Sequence, residues 1–140
     1  KIKENPRIHI PIFGNGDITS PEKCVDYKNK YGVDGIMIGR AAIGYPWIFR
    51  EIKHFMATGE HLAPPSVDER VDTALKHLKT SIKWKGDVLG VLETRRHYGS
   101  YFRGFRDIKT YRMKLVNSME HEELYDTLET IREKYRCVEM

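Results

Sequence analysis

The sequence is poor in cysteine and has no long apolar segment. Its two cysteines, Cys24 and Cys137, lie far apart and match no CxxC or metal-knuckle spacing, so the sequence indicates neither a disulfide framework nor a zinc site. We expect both to be structural thiols. No run approaches the roughly 18 apolar residues of a membrane span, and residues 1–6 are too polar for the core of a signal peptide. We therefore expect a cytoplasmic protein with no membrane partner.

Positive charge is concentrated in one part of the chain. The net charge of +4 over 140 residues is by itself weak evidence for an anionic partner. The segment from Arg70 to Lys114, however, contains twelve basic and four acidic residues, a net charge of +8. The segment from Glu120 to Glu133 contains six acidic residues. This distribution favours an anionic partner for one region of the surface.

The first part of the chain has the pattern of two consecutive strand–helix units. Apolar residues alternate within IHIPIF (8–13), which predicts a strand before the glycine-rich segment 14–17. Ser20 suits the N-cap of the following helix, Pro21 its first position and Gly32 the position after its end. A second strand is predicted within 33–38, followed by a helix over 46–57. Two such units in succession predict parallel strands with crossover helices.

A break in the pattern separates these units from the rest of the chain. Gly59, Pro64 and Pro65 interrupt the helical period, and Ser66 with Glu69 has the spacing of a capping box that starts a new helix. We predict one domain over 1–62 and a second over 66–140.

The second domain is predicted to be entirely helical. Apolar residues at helical spacing form one face early in the domain and another near its end, namely Val71, Leu75, Leu78 and Ile82, and then Leu124, Leu128, Ile131 and Tyr135. Two further helices are predicted over 88–98 and 108–116, separated by Gly99 and Gly104. The sequence therefore predicts a small helical bundle.

The two loops that follow the predicted strands indicate a phosphorylated cofactor. Gly14-Asn15-Gly16-Asp17 and Gly39-Arg40 occupy equivalent places, where small residues let backbone N–H groups approach a phosphate and an arginine grips it. In eight-stranded parallel barrels the loops after the last two strands commonly form such a site. A turn that merely requires glycine remains the alternative. No G-x-G-x-x-G or G-x-x-x-x-G-K-[ST] motif is present, so the fold predicted is the last two βα units of a TIM barrel followed by the helical bundle.

Several motifs in order along the chain resemble those of one family. Ile12-Phe13-Gly14-Asn15-Gly16-Asp17-Ile18, Asp34-Gly35-Ile36-Met37-Ile38-Gly39-Arg40-Ala41 and Pro46-Trp47-Ile48-Phe49 together resemble the tRNA dihydrouridine synthases. The segment Thr94-Arg95-Arg96-His97-Tyr98-Gly99-Ser100-Tyr101 is similar to the (M)RKHxGWY-type segment of the bacterial B-type branch. Thr94 and Ser100 depart from that segment, where methionine and tryptophan are usual. The resemblance covers nearly the whole chain.

The resemblance implies an FMN-dependent reduction of uridine in tRNA with NADPH as the reductant. It implies that the FMN phosphate is held by Asn15, Gly16 and Asp17 together with Gly39 and Arg40. In the family a cysteine on an earlier barrel loop supplies the proton, and that loop is absent here, so we assign no catalytic residue in this chain. The six histidines follow no H-E-x-x-H pattern, and no metal site is predicted.

The helical domain supplies the expected tRNA contacts. Binding a folded RNA and extruding a base from it call for phosphate contacts and for aromatic or arginine planes. The candidates are Arg95, Arg96, His97, Tyr98, Arg103 and Arg106. The alternative is that the aromatic residues of this segment form the core between helices and that the arginines are a solvated face.

Two strands without their neighbours in a barrel leave open edges. The sequence starts at what corresponds to the seventh strand, so we expect it to be the C-terminal part of a longer chain, dependent on the N-terminal barrel portion and inactive alone. We also expect it to self-associate through the strand region. Two other hypotheses stay open, namely an RNA-binding module without catalysis and a part of another FMN-dependent barrel dehydrogenase.

Overall fold

The computed structural model describes residues 2–136. Cys137, predicted to be a structural thiol, therefore lies outside the described residues. The chain divides into two compact units, Lys1–Pro64 and Pro65–Met140, which we call the N-terminal unit and the helical unit.

The N-terminal unit contains two parallel strands and their helices. Its elements are β1 (Phe13–Asn15), α1 (Pro21–Tyr31), β2 (Gly35–Met37), a one-turn 3-10 helix (Arg40–Ala42) and α2 (Ile48–Thr58). The two strands pair with Phe13 opposite Gly35 and Asn15 opposite Met37. The predicted parallel pair with crossover helix is thus confirmed. The remaining strands of a barrel stay a prediction.

The first strand is shorter than the alternation of apolar residues predicts. It begins at Phe13, and Ile10 is 73% exposed rather than half-buried in a sheet. Pro11 has no N–H with which to continue the ladder. Pairing starts at Ile12, whose N–H donates to Asp34 Oδ2 over 2.8 Å and whose carbonyl accepts from the Asp34 N–H over 2.9 Å. The prediction of a strand over 8–12 is wrong.

The predicted ends of α1 are confirmed. Ser20 Oγ accepts from the Lys23 N–H at the start of α1, and Gly32 ends the helix in the left-handed region at φ 59°. Four buried side chains form the core between the helices and the loops, namely Ile18, Cys24, Ile48 and Ile52. Burying this apolar set fixes both helices against the strands.

Residues 65–136 of the helical unit form four helices. They are α3 (Val67–Lys85), α4 (Asp87–Tyr101), α5 (Lys109–Asn117) and α6 (His121–Tyr135). The predicted capping box is present, with Ser66 Oγ accepting from the Glu69 N–H and Glu69 Oε2 accepting from the Ser66 N–H. Gly99 does not separate two helices as predicted, because α4 continues through it to Tyr101. Gly104, at φ 91°, lies in the loop between α4 and α5.

The core of this unit is formed by the predicted apolar faces, except that Ala74 is buried on α3 where Leu75 was expected. Leu124, Leu128 and Ile131 are fully buried, as are Val71 and Leu78. Ala74 takes the fully buried place on α3, whereas Leu75 and Ile82 are half-buried at its margin. Within the described part of the chain, no helix has the length and apolar character needed to cross a bilayer.

Candidate phosphate site and nucleic-acid interface

The two glycine-containing loops leave the same edge of the sheet. Because β1 and β2 are parallel and in register, their carboxyl ends lie side by side, with Asn15 opposite Met37. The chain continues from these ends into two loops. We call residues 14–17 and 38–40 the phosphate loops. In parallel sheets, ligands bind beyond this edge.

One ion pair joins the two phosphate loops. The Arg40 guanidinium donates through one terminal nitrogen to Asp17 Oδ1. Asp17 has a positive φ of 47°, a conformation that aspartate adopts more readily than most residues. Both side chains are exposed, Arg40 at 81% and Asp17 at 65%. The carboxylate thus orients a guanidinium whose other donors face solvent.

Gly16 and Gly39 of these loops have different surroundings. A Cβ added at Gly16 would come within 3.2 Å of the Tyr27 ring, so a side chain there would push against α1. A Cβ added at Gly39 would meet no atom within 4 Å. Open backbone beside an exposed guanidinium is the donor arrangement that a phosphate group requires. The residues present therefore fit a phosphate-bearing cofactor.

Cys24 has the environment of a structural thiol. It lies on α1, is 3% exposed and packs with Ile18, Ile48 and Ile52. Burial raises the pKa of its thiol, which keeps it protonated and unreactive.

The six nucleic-acid candidates of the helical unit differ sharply in accessibility. Tyr98 is fully buried, and burial raises the pKa of its hydroxyl. Its hydroxyl oxygen has no hydrogen-bond partner among the described residues. Tyr98 belongs to the core, and it offers no surface to an RNA.

Arg95 is engaged within the protein. One terminal nitrogen donates over 3.0 Å to the carbonyl of Ser118, in the link between α5 and α6, and lies 3.0 Å from Met119 Sδ. Its Nε is buried without a partner among residues 2–136. This arginine ties α4 to the α5–α6 link, and only part of its guanidinium faces solvent.

His97 belongs to a cluster of rings between α3 and α4, and Arg96 contacts this cluster. The His77 and His97 rings meet edge to face with centroids 4.5 Å apart, and His77 Nδ1 lies 3.0 Å from the Tyr101 hydroxyl. Exposed Arg96 donates from Nε to His97 Nε2 over 3.3 Å. Burial, His77 and Arg96 together lower the pKa of His97 to about 4, so the ring is neutral near pH 7. Burial also lowers the pKa of His77.

Arg103 and Arg106 lie in the loop between α4 and α5, over residues 102–108, which we call the arginine loop. Both side chains are exposed, and the Arg106 side chain is 93% accessible. Arg106 lies 3.6 Å from the Asp107 carboxylate. These two residues and Arg96 are the predicted candidates whose charge is open to a partner.

Sequence reasoning missed the residue that holds this loop. Arg70 was counted among the surface charges, yet it is 7% exposed and donates to the carbonyls of Pro65, Tyr101 and Arg103. Its local sequence carries no signal for this role, because the free backbone groups at the start of a helix are N–H donors, which a guanidinium cannot satisfy.

The structure and the comparisons agree on the class of protein. The chain joins a parallel βα segment with paired phosphate loops to a basic helical unit. The family described as dihydrouridine synthase (Dus) matches residues 1–136, and the chain belongs to this family. Similar proteins include "tRNA-dihydrouridine synthase B" of Pseudomonas putida, 48% identical over 113 residues, which are 81% of this chain and 33% of the relative.

Other relatives give the same picture. "tRNA-dihydrouridine synthase B" of Shewanella oneidensis is 40% identical over 138 residues, 99% of this chain and 39% of the relative. "Probable tRNA-dihydrouridine synthase" of Rickettsia conorii is 37% identical over 111 residues, 79% of this chain and 33% of the relative. The chain thus spans about a third of the length of these relatives, and the resemblance to the B-type branch is confirmed.

Proposed function

We propose that this chain works as the C-terminal part of a tRNA dihydrouridine synthase. The complete enzyme reduces uridine in tRNA to dihydrouridine, with FMN as the bound cofactor and NADPH as the reductant. The observation that carries the proposal is the Asp17–Arg40 pair, which joins two phosphate loops at one edge of a parallel sheet in a member of the dihydrouridine synthase family.

The N-terminal unit is proposed to hold the FMN phosphate. Arg40 binds it through the guanidinium donors that Asp17 leaves free, and the backbone at Asn15, Gly16 and Gly39 approaches it closely. The Asp17 carboxylate repels a phosphate, so its role is to orient Arg40 and to offer its backbone N–H. When bound, FMN supplies the hydride for the uridine ring.

The helical unit is proposed to bind tRNA. Arg96, Arg103 and Arg106 have exposed charges suited to phosphate oxygens. His97 is neutral beside Arg96 and so offers hydrogen bonds without charge at the same place. Arg95 contributes at the edge of this surface, whereas buried Tyr98 supports α4 from within the core.

Two other functions compete with this proposal. An RNA-binding module without catalysis would bind tRNA but would not need the Asp17–Arg40 pair. A dehydrogenase of a small metabolite would need that pair but not the exposed arginines. The two rivals therefore predict opposite effects for substitutions in the two units.

The test is dihydrouridine formation in an unmodified tRNA transcript by the full-length enzyme carrying this chain. Arg40→Ala should reduce the rate at least about tenfold at limiting FMN, since a charge-assisted hydrogen bond contributes about 1.5 to 3 kcal/mol. Arg7→Ala is the matched control, because Arg7 is also an exposed arginine of the N-terminal unit. Equal rates for parent and Arg40→Ala, or no dihydrouridine with the parent, would overturn the proposal.

A further inference from the structure

The arginine loop is held in one conformation by a buried arginine. The Arg70 guanidinium donates to the carbonyls of Pro65 (3.2 Å), Tyr101 (3.4 Å) and Arg103 (3.1 Å). It also lies 5.3 Å from the centroid of the Phe105 ring. Arg70 thus ties the loop, through the Arg103 carbonyl and the Phe105 ring, to the end of α4 at Tyr101 and to Pro65. A charged group that binds several carbonyls at once restricts the backbone more than a single hydrogen bond does.

A tyrosine from the last helix completes the anchoring. The Tyr135 hydroxyl donates to the carbonyl of Arg106, and its ring stacks on Phe105 with centroids 4.7 Å apart. Phe105 is 6% exposed. The carbonyls of Arg103 and Arg106 are therefore bound toward the interior, while the side chains of the same two residues are exposed.

The exposed charges of this loop continue onto α5 at a constant spacing. Basic residues recur every third position, and we call this set the basic row: Arg103, Arg106, Lys109 and Arg112. All four are exposed, and Lys109 and Arg112 lie one turn apart on α5. Residues three apart on a helix have Cβ atoms about 5 to 6 Å apart, close to the spacing of consecutive phosphates in a nucleic-acid strand.

The charge around the row is of one sign. Residues 103–117 contain five basic residues and one acidic residue, a net charge of +4. The exposed surface of α6 is the opposite, with Glu122, Glu123, Asp126, Glu129 and Glu133. Arg132 on α6 is neutralised by Asp68, Asp72 and Glu129. The basic row is thus a strongly basic strip of the helical unit, separate from the exposed lysines of α3.

We propose that the basic row is a preformed track for the sugar–phosphate backbone of the tRNA, with Lys109 and Arg112 as contacts and Arg70 and Tyr135 as positioning residues. The inference rests on the proposed function and extends it to the surface that α5 presents. An RNA strand fits better than a membrane, because the row has few exposed apolar side chains to insert into lipid. A fixed loop also binds without paying the cost of ordering its backbone.

The contact residues are tested by tRNA binding of the 140-residue chain across a salt series. Each of Lys109→Ala and Arg112→Ala should weaken binding about 3- to 10-fold near 0.1 M salt and should reduce the slope of log affinity against log salt by about one. Lys76→Ala is the matched control, an exposed lysine on α3 outside the row, and should leave both values near those of the parent.

The outcomes separate this inference from the proposed function. If the parent binds tRNA in a salt-dependent way and both row variants bind equally well, the proposed role of the basic row is wrong, whereas tRNA binding by the helical unit stands. No salt-dependent binding by the parent overturns both. An equal loss of affinity for poly-glutamate would assign the row to general anion binding and would also overturn the inference.

The positioning residues are tested by conservative variants. Tyr135→Phe keeps the stacked ring and removes only the donor to Arg106, and Arg70→Lys keeps the charge but loses most of the three carbonyl contacts. Each should weaken tRNA binding about threefold or more and should speed amide exchange in residues 103–108, with the thermal midpoint nearly unchanged for Tyr135→Phe. Tyr125→Phe, at a half-buried tyrosine of the same helix, is the control. Unchanged affinity and exchange in both variants would overturn the positioning role.

Discussion

Gly90 of α4 lies directly against the backbone of Ile82 in α3. A Cβ built on Gly90 would be 2.5 Å from Ile82 Cα, 2.6 Å from Ile82 N and 2.8 Å from the Ser81 carbonyl carbon. These are backbone atoms of a helix, which cannot move aside as the end of a side chain can. The closest approach of the helix pair therefore requires glycine at this position.

Gly90→Ala should destabilise the helical unit, although alanine favours helix. Alanine gains about 0.8 to 1 kcal/mol of helix propensity over glycine, but forcing α3 and α4 apart should cost about 3 kcal/mol, so we expect a net loss of about 2 kcal/mol. Urea denaturation followed by circular dichroism measures the free energy of unfolding.

Gly99→Ala is the matched control within the same helix. A Cβ at Gly99 meets no atom within 4 Å, so this variant should gain about 0.5 to 1 kcal/mol of stability. Stabilisation by both substitutions would contradict the close contact at Gly90.

Tyr98→Phe should be neutral or stabilising. The Tyr98 ring is fully buried and its hydroxyl has no partner within residues 2–136. Removing a buried hydroxyl that makes no hydrogen bond relieves its desolvation cost, so we expect a gain of 0 to about 1 kcal/mol. Thermal unfolding measures it, and a loss above about 1 kcal/mol would show that the hydroxyl is satisfied in solution.

The stability of the helical unit should fall as pH decreases from about 7.5 to 5. The folded state disfavours protonation of His97, whose pKa is lowered to about 4 by burial, His77 and Arg96. The unfolded chain takes up the proton first, near the usual histidine pKa of 6.5, so the stabilisation is complete above that pH and is lost as pH falls toward 4. After allowance for partial exposure we expect a loss of about 1 to 2 kcal/mol over this range.

Substitution of the histidine tests this origin. His97→Gln should reduce the loss of stability between pH 7.5 and 5, measured by urea denaturation at each pH. The remaining loss of stability comes from His77. Its pKa is also lowered, by burial and by the charges of Lys85 and Arg96. Ile131→Val, a core variant without a titrating group, should keep the pH dependence of the parent. The same dependence in His97→Gln and the parent would exclude His97 as its source.

The strand region should cause self-association of the 140-residue chain. Ile10, Phe13 and Met37 are 73%, 67% and 57% exposed, and a two-stranded sheet has open edges. Light scattering after size-exclusion chromatography should show species larger than a monomer, and Phe13→Ser with Met37→Ser should raise the monomer fraction. Trp84→Ser, at an aromatic residue of the helical unit that is 81% exposed, is the control. A monomeric parent would contradict the prediction.

Sequence reasoning succeeded where structure depends on neighbouring residues. The Ser20 cap and the Ser66–Glu69 capping box depend on side chains three residues from the backbone groups that they satisfy, and the left-handed conformation at Gly32 depends only on the residue being glycine. The apolar face of α6 also followed from its spacing, since every predicted member of it is buried.

The predictions were wrong where the structure depends on contacts between residues that are distant in the sequence. Whether residues 8–12 form a strand depends on a neighbouring strand, which periodicity does not reveal. Arg70 has the composition of a surface charge, and only the return of the chain at residues 101–103 makes it a buried ligand of carbonyls. Tyr98 lies beside Arg96 in sequence, yet the two residues face opposite sides of α4.

The central claim is that Arg40, oriented by Asp17, binds the phosphate of FMN together with the backbone at the glycines beside it. The most direct test compares the affinity of the full-length enzyme for FMN and for riboflavin, which lacks the phosphate, by quenching of flavin fluorescence. We predict that the parent binds FMN at least about tenfold more tightly and that Arg40→Ala removes most of this difference. Equal affinities in the parent, or an undiminished preference for FMN in Arg40→Ala, would contradict the claim.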